Sequence, residues 1–536
     1  MSTRRLVLSI LFWPLVIGLF TLLGAVMGPA AHANSDHFVA ATENGPVRGL
    51  QTETMKNFLG IPYAAPPVGD LRWRPPQPAA PWKGVRDATQ FANHCPQPPS
   101  PFGLASVTED CLYLNVYTPA GGWHKGKGKP VMVWIHGGAL YLGESNDYDP
   151  VNLVEKEDVV VVTINYRLGI LGYLAHPALT LEQGGASGNY GFMDQQAALQ
   201  WVQRNIKNFG GDPDNVTIFG ESAGGLSVHT QLVSPLAAGL FDRAIIESGA
   251  YQLNTASLVT AEGRGSAFAT RAGCGAAADV AACLRALTQP QDIAMFLADP
   301  GAGAIAAPNV DGRVLTQTIG AALLSGEFNR VPVMEGSNHD EWRLFVAIYN
   351  DLTPAGPLTA ANYVPQISST LGVSIPVATF IANTYYPLAN YSSPDVAMGA
   401  VGTDAIFACN SRKSIRLMAY YVPVFAYEFN DPNPPQLFLP PVSFPYGAYH
   451  ASEIQYVFNL RPAVPNPPAL DANQELLSHD MVHYWGHFAR FGDPNSSLTE
   501  FWPQYKSGDD KFQSLNLPHP TTESGFAADH QCSVWP

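Results

Sequence analysis

Two short apolar runs, VMVWI at 131 to 135 and VVVVTIN at 159 to 165, show no alternation of polar with apolar residues. A strand made from either has no face to give to water, so both must lie inside a sheet that is covered on its two sides. Between and after them come helical stretches such as DQQAALQWVQRNI at 194 to 206. Buried strands alternating with helices predict an α/β architecture, a central and mostly parallel sheet with helices on both faces. The 536 residues are 46% hydrophobic, enough for one very large core or for two or three ordinary domains, between which composition does not choose. With no internal repeat and no long linker, residues 34 to 536 are expected to form a single large domain. Two regions read as helical excursions that roof a pocket, one Ala-rich over roughly 253 to 310 and one over roughly 345 to 420.

The N-terminus has the three parts of an export signal: Arg4 and Arg5, an apolar run from Leu6 to about Met27, and small residues ending Ala31-His32-Ala33. Residues 1 to 33 are therefore expected to be a signal peptide, with the mature chain starting near Asn34 and secreted or periplasmic. An uncleaved membrane anchor is the alternative, against which Pro14 and the A-x-A site argue. Twin arginines leave the export route open. The formal charge of -15 excludes nucleic acid as a partner, since phosphate binding needs clustered basic residues. Six cysteines without C-x-x-C spacing read as disulfides of an exported protein. Count alone leaves their pairing open. Cys95 with Cys111 and Cys274 with Cys283 would close short loops, leaving Cys409 for Cys532. Asn215, Asn390 and Asn495 head glycosylation sequons that matter only in a host that uses them.

In NVTIFGESAGGLSVH a β-branched run meets Gly220-Glu221-Ser222-Ala223-Gly224 and then a helical pattern. Strand, sharp turn and helix are what a nucleophile elbow requires, with glycines flanking the serine to allow the tight backbone. Upstream, WIHGGALYLG follows the 131 to 135 strand, where glycines let backbone N-H groups converge on a developing oxyanion. A serine hydroxyl needs a base, and the base an orienting acid, in the chain order serine, acid, histidine. For the base the candidates are His339, His450 and the trio His479, His483 and His487. His450 lies in a loop after the strand-like VFAYEF (424 to 429), as catalytic side chains at a sheet edge do. His339 reads as a surface loop residue. The trio, four residues apart, shares one helix face. HDMVH has Asp where the H-E-x-x-H zinc motif needs Glu, so a half-buried helix face is preferred and no metal or other cofactor is expected. For the acid, Asp311 in V-D-G reads as a turn joining two strands. A short strand at 331 to 334 instead delivers Asp340 or Glu341 at its C-terminal end.

These residues together resemble the type-B carboxylesterase family of α/β-hydrolases, which contains cholinesterases, carboxylesterases and p-nitrobenzyl esterases. The matching segments run from EDCLYLNVYTP (109 to 119) through VMVWIHGGALYLG, NYRLGILGYL, GNYGFMDQQAALQWVQRNIKNFGGDPDNVTIFGESAGGLSV and FDRAIIESG. They continue with GSNHDE, YHASEIQYVF and YWGHFARFGDPN (484 to 495), and span nearly the whole chain after the signal. The resemblance implies the α/β-hydrolase fold, Ser222 as nucleophile, Glu341 as acid and His450 as base. It implies an oxyanion hole from the N-H groups of Gly138, Ala139 and Ala223. It also matches the pairs Cys95 with Cys111 and Cys274 with Cys283, and in some members Cys409 with Cys532.

The implied activity is hydrolysis of small-molecule carboxylic esters through an acyl-enzyme. Lipase, amidase and polyester or toxin esterase remain alternatives, and a non-catalytic adhesion protein is the alternative of another class. After signal cleavage no stable membrane association is expected, and the oligomeric state is open. Two departures stand out. Trp342 replaces the glycine of the family's D-E-G, either as simple packing or as a shaper of the pocket. The loop from Cys95 to Cys111 lacks the tryptophan with which cholinesterases face a quaternary ammonium, so choline esters are disfavoured.

Overall fold

A computed structural model describes residues 37 to 121 and 128 to 535; the signal peptide expected over 1 to 33 lies outside them. Both apolar runs are strands, Lys129–Ile135 and Val160–Ile164, paired in parallel from Val131 opposite Val160 to Ile135 opposite Ile164. Successive side chains of a strand point to opposite faces. Val131, Val133 and Ile135 accordingly enter one core, with Trp201 and Val202 of the helix Tyr190–Asn205 and Leu226 and Leu232 of Ala223–Val233. Met132 and Trp134 enter the other, with Met481 and Trp485 of the helix Ala472–Phe491. Neither strand keeps a wet face, which is why neither could show alternation.

These strands sit in the middle of a 13-stranded sheet. Its parallel part continues from Lys129–Ile135 through Gly211–Glu221, Arg243–Glu247, Val333–Asn338 and Val424–Phe429 to Phe512–Leu515. Antiparallel strands complete both edges, including Tyr113–Pro119 against Val160–Ile164. Parallel alignment matters to function, because the loops that leave these strands emerge from one edge of the sheet. From His37 onward the chain forms one compact unit. The cysteines pair as Cys95–Cys111, Cys274–Cys283 and Cys409–Cys532. Among the described residues no single helix is long and apolar enough to cross a membrane.

The two helical excursions behave differently. From Trp342 to Met418 the chain forms helices and two π-turns, and it supplies Trp342, Phe345, Ile348, Tyr349, Ile406 and Phe407 to the main cavity. Residues 253 to 310 are helical as expected, but they roof nothing: none of them lines that cavity. Their apolar faces are spent elsewhere, with Phe268, Leu284 and Phe296 in the core that holds Trp73. The Arg72 guanidinium donates to the carbonyls of Leu284 and Leu287, at 3.2 and 2.7 Å. Asp311 does make a turn, its Oδ1 accepting from the N-H groups of Arg313, Val314 and Leu315. The turn leads on to the helix Ile319–Ser325 rather than to a second strand.

One buried ion pair ties the sheet edge to the first large helix. Arg167, just beyond Val160–Ile164, donates from Nε and Nη2 to the two carboxylate oxygens of Asp194, each at 2.7 Å. Both residues are essentially without solvent. Asp194→Ala would leave the guanidinium buried and uncompensated, so a loss of about 3–5 kcal/mol is expected. Urea unfolding of the variant against wild type measures it.

Candidate active site

Strand Gly211–Glu221 turns at Ser222 into the helix Ala223–Val233. Ser222 has φ 55° and ψ -118°, a conformation that costs a non-glycine residue of order 1–3 kcal/mol and persists only where its surroundings enforce it. The enforcement is visible. The Ser222 N-H donates to the carbonyl of Glu247 at 2.8 Å, and a Cβ on Gly224 would sit 1.9 Å from the carbonyl oxygen of Ile135. Only glycine lets the helix start this close to the neighbouring strand.

The loop after Lys129–Ile135 passes beside it. Gly138 and Ala139 both have positive φ, 96° and 56°. Neither of their N-H groups donates to another described residue, and the Ala223 N-H, first in its helix, has no intrahelical acceptor. The loop is pinned at both ends. Tyr166 donates from its hydroxyl to the His136 carbonyl at 2.6 Å and stacks on the His136 ring, whose pKa burial lowers to about 4. At the far end Gln97 accepts from the Gly143 N-H at 2.8 Å and donates to the Gly143 carbonyl at 2.9 Å.

Asp340 and Glu341 point apart. Glu341 is fully buried, Oε1 accepting from the Asn338 N-H at 2.9 Å and Oε2 lying 2.5 Å from Nδ1 of His450. Asp340 serves the backbone instead. It accepts from the Ala448 N-H at 3.0 Å and pairs with Arg343 and His339, at 2.8 and 3.2 Å. His450 presents Nε2 with no hydrogen-bond partner, 3.2 Å from Glu221 Oε1 but outside bonding geometry. Its ring lies 5.1 Å from that of Phe345 and 4.9 Å from that of Phe407.

Ser222, Gly138, Ala139 and His450 all line one cavity of about 440 Å³. Glu341 stands behind His450 and Ala223 follows Ser222, so Ser222, His450, Glu341, Gly138, Ala139 and Ala223 lie in one region. It leaves out the other histidines. His479 and His483 face each other through Nε2 atoms 3.1 Å apart on an outer helix face, and His487 contacts the Asp493 carbonyl. His339 is half-exposed on a turn. Trp342 both packs and shapes the cavity. Its indole covers Gly402, where a Cβ would come within 2.0 Å, the Trp342 backbone N-H donates to the Thr403 hydroxyl at 3.0 Å, and the ring joins Phe345 in the lining.

Sequence reasoning passed over the buried carboxylates Glu221, Glu247 and Glu453. Burial, then the charges of Glu341 and Glu247, push Glu221 well up; burial does the same to Glu453. Burial also raises Glu247 to about 7, although Trp485 donates to it at 3.0 Å. The only signal was an acidic residue inside otherwise apolar runs, as in AIIESG and ASEIQYVF. Gln97 was missed because nothing local marks a glutamine that works 46 residues away.

A doubly covered parallel sheet with a strained serine between its central strand and a helix, and a histidine–carboxylate pair from later loops, defines an α/β-hydrolase. The Carboxylesterase family model matches residues 36–535. The chain is 37% identical over 482 residues to an acylcarnitine hydrolase of Mus musculus, covering 86% of this chain and 83% of the relative. It is 34% identical to a para-nitrobenzyl esterase of Bacillus subtilis, covering 88% and 93%, and 34% identical to a fumonisin B1 esterase of Sphingopyxis macrogoltabida, covering 90% and 88%. The chain belongs to the carboxylesterase family and is a carboxylic ester hydrolase.

Glu247 gives the site a pH signature. Its pKa rises from 4.5 in the unfolded chain to about 7 in the fold, so the folded state binds more protons across that window and stability falls as pH rises through it. Glu247→Gln keeps an acceptor for Trp485 and should remove up to about 3 kcal/mol of this fall. Denaturant unfolding at pH 5 and pH 7.5 tests it, and an unchanged difference between the two would refute the assignment.

Proposed function

We propose that Ser222, His450 and Glu341 are the nucleophile, base and orienting acid of a two-step acyl transfer, with the N-H groups of Gly138, Ala139 and Ala223 as the oxyanion hole. His450 Nε2 takes the proton of Ser222 as Oγ attacks the ester carbonyl, and the oxyanion is met by the three N-H groups. As the tetrahedral intermediate collapses, Nε2 gives its proton to the departing alkoxide. Water then repeats the sequence on the acyl-enzyme and releases the acid. The observation that carries this reading is the 2.5 Å contact between His450 Nδ1 and Glu341 Oε2, which fixes the ring tautomer and leaves Nε2 unbonded at the cavity wall beside Ser222.

The cavity argues for uncharged esters with bulky apolar or aromatic parts. Phe102, Trp342, Phe345, Tyr349, Phe407 and Phe438 line it, and Arg461 is the only cation among its lining residues. Such walls offer ring stacking and apolar burial, with charge confined to Arg461 and the carboxyl groups of Asp147 and Glu221. The para-nitrobenzyl esterase name of one relative fits an aromatic alcohol.

A panel of chromogenic esters of rising acyl length, given to wild type and to three variants, tests the assignment. Ser222→Ala should abolish turnover of every ester. Glu341→Gln should lower kcat by about 10³–10⁴ with KM nearly kept, as loss of an orienting acid does elsewhere. Asp340→Asn should cost far less, and the reverse order of these two would exchange their roles.

The protein is exported by cleavage of residues 1 to 33 in this reading, and its three disulfides suit an oxidising compartment. N-terminal sequencing of protein recovered outside the cytoplasm should begin at or near Asn34. A sequence beginning at Met1 would overturn the proposal.

A further inference from the structure

Behind the turn that carries Glu341 lies a second cluster of imidazoles and carboxylates that ester hydrolysis does not use. Val333–Asn338 and Val424–Phe429 run side by side in parallel, with Ser337 opposite Glu428 and Asn338 opposite Phe429. The register therefore sets His339, just past the first strand, beside Glu428 on the second. The C-terminal segment brings His530 to the same point, anchored two residues later by the disulfide from Cys532 to Cys409. A ring nitrogen of each histidine and a carboxylate oxygen of Glu428 lie within 4.8 Å of one another.

We propose that His339, Glu428 and His530 form a binding site for a late first-row divalent cation, with zinc the best match to two imidazoles and one carboxylate. What surrounds the three is what metal-ligating groups require. His530 Nδ1 contacts Asp404 Oδ1 at 2.7 Å, which holds the ring with Nε2 turned to Glu428. Asp404 is itself held by the Tyr386 hydroxyl at 2.8 Å. His339 Nδ1 meets Asp340, and the other oxygen of Glu428 accepts from Asn430 at 2.9 Å. A carboxylate behind each histidine and a donor on the ligating carboxylate are the outer groups that orient ligands around a metal.

His530, Glu428 and Asp404 are buried, whereas the His339 side chain is 47% exposed and supplies the way in. In the metal-free protein one proton lies between His530 Nε2 and Glu428. Zn²⁺ takes that place, the proton leaves to solvent, and His530 becomes a neutral ligand. The half-buried Glu523 carboxylate, which shares Asn430 with Glu428, or a water completes four-coordination. The bound ion joins the C-terminal segment to two sheet strands directly behind the Asp340–Glu341 turn.

The test uses the full mature chain, stripped with a chelator, dialysed against zinc chloride and assayed for retained metal and thermal midpoint. About one equivalent of Zn²⁺ should remain per chain, with a raised midpoint. His339→Ala, at a half-exposed position that leaves the core intact, should weaken zinc binding by at least about tenfold, and Glu428→Gln should do the same. His479→Ala with His483→Ala should leave retention unchanged. Failure of wild type to retain zinc, retention undiminished in His339→Ala, or loss in the His479/His483 variant instead would each overturn the site. No cysteine among the described residues is free to bind zinc in its place.

Discussion

The helix that starts at Ala223 lies so close to the strand ending at Ile135 that no side chain fits between them at Gly224, and the site geometry descends from that contact. Because the helix is pressed against the strand, the residue before it has nowhere to turn except into positive φ. Ser222 is therefore thrust out of the sheet edge. The same approach brings the first turn of the helix close to the loop that follows Ile135, since a Cβ on Gly224 would also come within 3.1 Å of the His136 carbonyl carbon. Strain of this kind is affordable only in a large structure, and the two cores on either side of the sheet supply the surplus.

The buried carboxylates complete the picture. Glu221, Glu247, Glu341 and Glu453 all lie within one dry region, yet their roles differ because their partners differ. Glu341 faces an imidazole at 2.5 Å and accepts a backbone hydrogen bond. Glu221 and Glu453 are pushed well up, first by burial and then by the neighbouring acids. Like charges crowded in a dry region raise one another, so burial and neighbouring acids act in the same direction on Glu221 and Glu453.

Much of this was legible in the chain. Lack of alternation in VMVWI and VVVVTIN reported strands with two covered faces, and the strand–glycine–helix grammar around Ser222 reported the elbow. Asp340 and Glu341 could not be separated locally, because consecutive residues on a turn point in directions set by what they meet. One meets the Ala448 backbone and the other meets His450, and both lie more than a hundred residues downstream. The Ala-rich segment at 253 to 310 misled for a related reason. Its helices are plain in the sequence, but the surface they cover is chosen by Arg72 and Trp73, far upstream. Gln97 and the His530 cluster carry no local mark at all, since each depends on long-range register.

The clasp between Gln97 and Gly143 treats a side-chain amide as a piece of borrowed backbone: it offers one donor and one acceptor in the order a neighbouring strand would. Its reach is set by two covalent distances, from the amide to its own Cα and from that Cα to the half-cystine two residues before. The intervening loop, on to Cys111, is bound back to the clasp, Gln97 and Ser106 exchanging two backbone hydrogen bonds of 3.0 Å, and it carries Pro101 and Phe102 to the cavity lining. The two-residue step from Cys95 to Gln97 is the ruler by which the loop after Ile135 is held at Gly143.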